Sequence, residues 1–181
     1  VGLPIGDVEF QIRNDDGVVL PVNEPGEICI KGHNIMMGYW NNSEATDASI
    51  KDGWFLTGDI GHLDNDGYLY ITDRKKDMLL VNGINVYPRE VEEVIYQFEG
   101  VSEAAVVGIN DPRKGDLVVA CIVPSEKIKI DESALKEFLK TKLAAYKLPR
   151  KLMIMEKLPR NATGKILKTK LREIALDRVG R

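Results

Sequence analysis

Hydrophobic and polar residues alternate near the start of the chain. Val8, Phe10 and Ile12 recur at every second position, the period of a strand with one buried face. Asn14-Asp15-Asp16-Gly17 supplies turn residues, and Pro25-Gly26 punctuates again before the strand-like run Glu27-Ile28-Cys29-Ile30-Lys31. Asp64-Asn65-Asp66-Gly67 is a further turn, leading into Tyr68-Leu69-Tyr70-Ile71. These acidic turns lack the full spacing and the closing Glu of a calcium loop, so they read as hairpin turns. Residues 7–72 are therefore expected to be rich in β-structure.

From Asp77 the pattern becomes mixed. Residues 78–81 and 84–87 are apolar runs flanking Asn82-Gly83, the strongest short signal for a β-hairpin. Pro88 suits a first helical turn, and Val91, Val94, Ile95 and Phe98 then fall on one helical face. Two apolar runs follow, residues 104–109 and 117–123, separated by the turn-like Asn110-Asp111-Pro112. Asp131 is placed to cap a helix that buries Leu135, Phe138, Leu139 and Leu143. Residues 151–155 read as a short strand, and residues 166–178 as a last helix facing inward through Ile166, Leu167, Leu171 and Ile174.

This order predicts an α+β protein in two parts. A small β-barrel-like subdomain spans residues 1–73. A charged joint at 74–76 leads to a compact α+β domain over 77–181, with a hairpin and a central sheet flanked by helices. About a hundred residues is a normal independent size for such a domain.

Composition narrows the function classes. The 181 residues are 44% hydrophobic and 29% charged, with a formal net charge of -3. That balance does not suit a chain built to coat nucleic acid or an anionic membrane. Basic residues do collect near the C-terminus, including Lys140, Lys142, Arg160, Lys165 and Lys170, but they lack the aromatic interleaving of a nucleic-acid surface. Cys29 and Cys121 each sit in an apolar run and read as buried free thiols; His33 and His62 belong to no ligand cluster. No run reaches the length of a transmembrane helix and no signal-peptide pattern is present, so a soluble, cytoplasmic protein is expected. The chain opens without Met directly into a strand-like segment, the look of a piece of something longer.

Several residues could carry chemistry. Asp59, on the expected tight turn Thr57-Gly58-Asp59, could accept the paired hydrogen bonds of a vicinal diol, or could cap its own turn, which alone is the better reading. Arg74 offers a five-donor guanidinium, or is a solvated surface arginine. Gly83 satisfies the positive φ of its turn. Lys165, in Leu158-Pro159-Arg160-Asn161-Ala162-Thr163-Gly164-Lys165, is not a P-loop lysine, because Pro159 stands where Gly is needed and Ile166 where Ser or Thr should follow. A lone Gly-Lys is most often an exposed helix start.

Taken together, Thr57-Gly58-Asp59, the segment from Asp73 through Asn82-Gly83 to Glu92, and Thr163-Gly164-Lys165 resemble the adenylate-forming enzymes. The form Leu80-Val81-Asn82-Gly83-Ile84-Asn85-Val86-Tyr87-Pro88 is similar to the medium- and long-chain fatty-acyl-CoA ligases within that superfamily. Gly26 to Gly32 and Met37-Gly38-Tyr39-Trp40 match a further segment, read as structural.

The resemblance implies an acid–thiol ligase that converts a fatty acid, ATP and CoA into a thioester in two steps, with Mg2+ held elsewhere in the parent enzyme. It implies Lys165 as the catalytic lysine of adenylation, Asp59 and Arg74 as nucleotide contacts, Lys76 as the hinge, and Gly83 as the point that makes room for CoA. Family members often carry Arg three residues after the lysine; Lys168 here puts only phosphate contacts at that position in doubt. The match covers the last third or so of a typical member, without the phosphate loop or the acyl pocket. The chain is thus expected to need its missing N-terminal domain as partner and to be inactive alone. A peripheral position at membranes would serve acyl access. The alternatives are a non-catalytic module that binds nucleotide or CoA, and an adenylating enzyme for another carboxylic acid.

Overall fold

Strand β1 (Glu9–Arg13) pairs antiparallel with β2 (Gly26–Lys31), and Phe10, Ile12, Ile28 and Ile30 meet on the covered face. The turn between them uses Asn14 twice, its Oδ1 accepting the N–H groups of Asp16 and Val18. A short polar helix, α1 (Ser43–Ser49), is capped by Asn42 and runs into the two-residue strand β3 (Ile50–Lys51). The long strand β4 (Trp54–Leu63) then pairs with β2, β3 and β5 (Leu69–Arg74), giving a five-stranded, half-barrel-like antiparallel sheet. Its small core is Ile12, Ile28 and Leu69, with Phe10, Leu20, Ile30 and Leu63 packed around it.

This computed structural model describes residues 1–111, 115–126 and 128–179. The chain divides into two units, Val1–Lys76 and Asp77–Arg181, and the half-barrel is the first.

The second unit begins with the hairpin β6 (Leu79–Val81) and β7 (Ile84–Val86), followed by α2 (Pro88–Tyr96) with Pro at its start. Strands β8 (Val101–Asp111) and β9 (Gly115–Pro124) pair antiparallel along nearly their whole length. Helix α3 (Glu132–Lys142) is capped by Asp131, whose Oδ1 accepts from the N–H groups of Ser133 and Ala134. Strand β10 (Lys151–Ile154) lies parallel to β9, and α4 (Lys168–Val179) closes the unit.

The apolar runs of β8 and β9 are continuous because both faces of the central sheet are covered. Ala104, Val106, Val118, Ala120 and Ile122 face the layer of α2 and α3, with Val91, Ile95, Leu135 and Leu139. Ala105, Val107, Val119 and Cys121 face α4, against Leu171 and Ala175. Each large aliphatic side chain fully buried in these layers contributes about 1.5–3 kcal/mol of transfer free energy. The α+β class and the two-sheet organisation are as expected from the sequence.

Three local expectations change. Thr57-Gly58-Asp59 lies inside β4 as a bulge and forms no tight turn between elements. Asn110 and Asp111 continue β8, leaving only Pro112 of the expected turn, which lies outside the described residues. The last helix starts at Lys168, because Ile166 bridges back to Arg160 in extended conformation.

Candidate functional site

The bulge in β4 positions Asp59. Glu27 of β2 pairs with Ile60 and Cys29 with Leu56, so the single residue Ile28 faces three, Thr57, Gly58 and Asp59. Three residues cannot be accommodated by one partner, and the ladder hydrogen bonds are lost there. Side chains replace them. The Thr57 hydroxyl donates to the Ile28 carbonyl at 2.8 Å and accepts the Asp59 N–H at 3.0 Å. The Gly58 N–H donates to Glu27 Oε1 at 3.1 Å. Self-capping, the bland alternative for Asp59, therefore falls to Thr57, and the half-buried Asp59 carboxylate is left for another partner.

That partner is Arg74. Antiparallel register sets Asp59 opposite Arg74 on β5, with Nε 3.0 Å from Oδ1. Lys75 follows Arg74, its ammonium 2.9 Å from the buried carboxylate of Glu27 and 2.7 Å from Asp15. Asp15 first, then Glu27, raises the Lys75 pKa from its ordinary value of 10.5, against an opposing effect of burial. Thr57, Gly58, Arg74, Lys75 and Lys76 line an open groove of about 370 Å³. Lys76 is exposed and ends the first unit.

Gly83 and Lys165 belong to the second unit. Asn82 has φ 51° and Gly83 φ 80°, the left-handed pair that a two-residue hairpin turn requires. Residues 82–85 are exposed, and a Cβ built at Gly83 would meet no heavy atom within 4 Å. The stem is held at Leu80, whose N–H donates to Asp116 Oδ2 at 2.8 Å.

Lys165 sits on a closed loop. The Asn161 side-chain oxygen accepts the Thr163 N–H at 3.0 Å, the Thr163 hydroxyl at 2.8 Å and the Lys165 N–H at 2.9 Å. Asn161 N–H donates in turn to the Lys165 carbonyl at 2.9 Å. Lys165 itself is exposed. Lys168 is paired within the unit. Its ammonium lies 2.9 Å from Glu92 Oε1, with both side chains less than a fifth exposed, and Glu92 also accepts the Val106 N–H at 2.7 Å. Lys168 thus ties α4 to α2 and β8, a structural employment of the position where a phosphate contact was in doubt.

The structure brings Asp59 and Arg74 together on one unit and carries Gly83 and Lys165 on the other. Sequence reasoning missed Glu27, Asn161, Arg160 and Glu92. Glu27 left a signal, a lone carboxylate within an apolar strand run, and Asn161 left a local one, an Asn two and four residues before the groups it accepts from; Arg160 and Glu92 depend on partners distant in sequence. Among the described residues, no three His, Cys, Asp or Glu side chains group as a metal site, and no helix is long and apolar enough to cross a membrane.

Known proteins resemble this chain in sequence and fold. The family model of the AMP-binding enzyme C-terminal domain matches residues 90–165, and that of the AMP-binding enzyme matches residues 1–40. The long-chain-fatty-acid–CoA ligase FadD13 of Mycobacterium tuberculosis is 49% identical over 165 residues, covering 91% of this chain and 32% of that protein. A feruloyl-CoA synthase of Amycolatopsis is 41% identical over 171 residues, covering 94% of this chain and 35% of its own. ATP-bound MatB from Rhodopseudomonas palustris superposes with a TM-score of 0.92 at 37% identity, over 98% of this chain and 36% of that one. The chain spans about a third of the length of the curated relatives it matches.

Proposed function

The chain belongs to the AMP-binding enzyme family, and on that premise we propose that it is the C-terminal portion of an ATP-dependent fatty-acid–CoA ligase. In the first step the fatty-acid carboxylate attacks the α-phosphate of ATP. The bond to pyrophosphate breaks, giving acyl-adenylate. In the second step the CoA thiol, losing its proton, attacks the acyl carbon, and AMP leaves with the bonding electrons.

Asp59 accepts hydrogen bonds from the ribose hydroxyls, and Arg74, already paired with it, orients the carboxylate and adds donors of its own. Lys165 lies between the two anions of the first step. Its ammonium offsets their repulsion and stabilises the charge on the transferring phosphoryl group. Gly83 serves the second step, where a side-chain-free hairpin tip leaves space for the thiol-bearing arm of CoA. Rotation at Lys76 exchanges the two presentations, a task that needs backbone freedom and no particular side chain. Mg2+ would enter with ATP, on ligands in the rest of the enzyme.

One observation carries this reading: a single unit holds out both an exposed lysine on a closed loop and an exposed glycine on a hairpin. One such body can serve two half-reactions in turn. Likeness to a feruloyl-CoA synthase favours a second reading, in which the carboxylic acid is not a fatty acid but the chemistry is the same.

The test uses the full-length enzyme. Lys165→Ala is expected to abolish ATP–pyrophosphate exchange while sparing thioester formation from pre-made acyl-adenylate. Gly83→Trp is expected to do the reverse. Loss of the same half-reaction in both variants would overturn the two-presentation mechanism. Exchange assayed across fatty and aromatic acids separates the two substrate readings.

A further inference from the structure

The peptide joining Gly164 to Lys165 is gripped at both ends. Its carbonyl oxygen accepts a 2.6 Å hydrogen bond from Arg160 Nη1, and its N–H donates to Asn161 Oδ1 at 2.9 Å. The other guanidinium nitrogen of Arg160, Nη2, lies 2.7 Å from Glu103 Oε2 on β8. Arg160 also bridges Ile166 through the backbone, on the far side of the lysine. Among the described residues, the Lys165 side chain has no hydrogen-bond or ion-pair partner of its own, so nothing but its backbone directs it.

We propose that Arg160 is a positioning residue for Lys165. The planar fork of its guanidinium allows two donors to reach two acceptors at a fixed angle. One donor anchors on the central sheet through Glu103, and the other immobilises the carbonyl immediately before the lysine. The direction in which the Lys165 Cα–Cβ bond leaves the loop is thereby referred to the sheet. The ammonium then searches a restricted volume. Adenylation needs a cation held between two anions, and misplacement by an ångström can cost about a hundredfold in rate. This role rests on the reading of Lys165 as the adenylation lysine. As a surface ion pair alone, Arg160–Glu103 would contribute little to stability, since both side chains are more than a third exposed or close to it.

The test measures both half-reactions in the full-length enzyme, with Lys165→Ala as reference. Arg160→Ala is expected to lower the maximal rate of ATP–pyrophosphate exchange by about ten- to a hundredfold. The KM for ATP, the thermal midpoint and thioester formation from pre-made acyl-adenylate should stay near wild type. Arg160→Lys, with one ammonium for two acceptors, should recover part of the loss. Exchanging the charges (Arg160→Glu with Glu103→Arg) should not restore the rate, because a glutamate at 160 cannot donate to the Gly164 carbonyl. Restoration by the exchanged pair, or equal loss in both half-reactions, would make Arg160 a structural ion-pair partner and overturn the proposal. So would wild-type exchange in Arg160→Ala beside an inactive Lys165→Ala. If Lys165→Ala itself retained exchange, the reading of the lysine would fall first, and the clamp would lose its task with it.

Discussion

Arg74 Nε lies 3.0 Å from Asp59 Oδ1 because the register of β4 and β5 sets the two residues directly opposite each other. The Arg74 side chain is 59% exposed, so the pair contributes at most about 1 kcal/mol to folding. Its proposed value lies in holding a carboxylate ready for a diol.

Asp59→Asn should therefore separate binding from stability. The amide keeps one acceptor and loses the charge that strengthens both hydrogen bonds. The KM for ATP in pyrophosphate exchange is expected to rise about tenfold, from the loss of roughly 1.5 kcal/mol of charge-assisted hydrogen bonding. The thermal midpoint should stay close to wild type. A large fall in the midpoint with unchanged ATP dependence would make the pair a structural one.

Glu27 should couple the two. Its carboxylate side chain is 9% exposed and holds the bulge by accepting from Gly58 and from Lys75. Glu27→Ala leaves the Gly58 N–H without its acceptor and is expected to cost about 1–3 kcal/mol in urea denaturation. Glu27→Gln keeps an acceptor and should cost less. Both should also raise the KM for ATP, because the bulge that aims Asp59 loses its support.

Lys75 gives this network a pH dependence whose sign follows from its raised pKa. Asp15 and then Glu27 favour the ammonium in the folded protein beyond its ordinary value of 10.5. The folded state thus binds this proton more tightly than the unfolded state. The stabilisation is complete below pH 10.5 and fades as pH rises through the higher folded value. The stability difference between wild type and Lys75→Met should be flat from about pH 7 to pH 9 and shrink in more alkaline solution. A difference that changed steeply between pH 7 and pH 9, where the ammonium and both carboxylates are charged, would contradict the assignment.

How far these features were legible in the sequence depends on how local their causes are. The Asn82-Gly83 hairpin, the Asp131 cap and the two apolar runs of the central sheet are set by neighbours in sequence, and they stand where the pattern put them. Helix α1 went unread because it buries no residue and carries no apolar stripe; its one signal is the Asn42 cap. The Thr57–Asp59 bulge is imposed by Ile28 and Glu27, some thirty positions earlier in sequence. The Arg160–Glu103 anchor joins residues 57 apart. The resemblance points to Lys165, and Asn161 beside it is a local signal, but the tie of its loop to the sheet through Glu103 leaves none.

Two glycines with nearly equal φ should respond very differently to alanine. Gly83 has φ 80° and open space around it, so Gly83→Ala meets only backbone strain, about 1–2 kcal/mol. Gly115 has φ 79°, and a Cβ there would drive into the backbone carbonyl oxygen of Leu80, where β6 meets β9. A backbone atom cannot turn away as a side chain can. Gly115→Ala is expected to cost about 3 kcal/mol or more and to loosen the stem of the Gly83 hairpin. Comparable denaturation midpoints for the two variants would show that β6 and β9 separate easily.

Cys121 provides a probe of the layer between the central sheet and α4. The thiol is fully buried among Ala105, Leu171 and Ala175, and burial pushes its pKa from 9.0 up to about 11. Burial also raises the Cys29 thiol, with Arg13 pulling the other way. The reactive species is the thiolate, so both cysteines should resist a thiol reagent at pH 8 until the protein is denatured. The neutral thiol is the form the folded state prefers. Its contribution to stability is therefore complete below pH 9.0 and is lost as pH climbs toward about 11. Cys121→Ala, which removes the titrating group, should flatten the alkaline decline in stability across that interval. Prompt labelling of native Cys121 at pH 8 would mean that α4 lifts from the sheet far more readily than its packing through Leu171 and Ala175 allows.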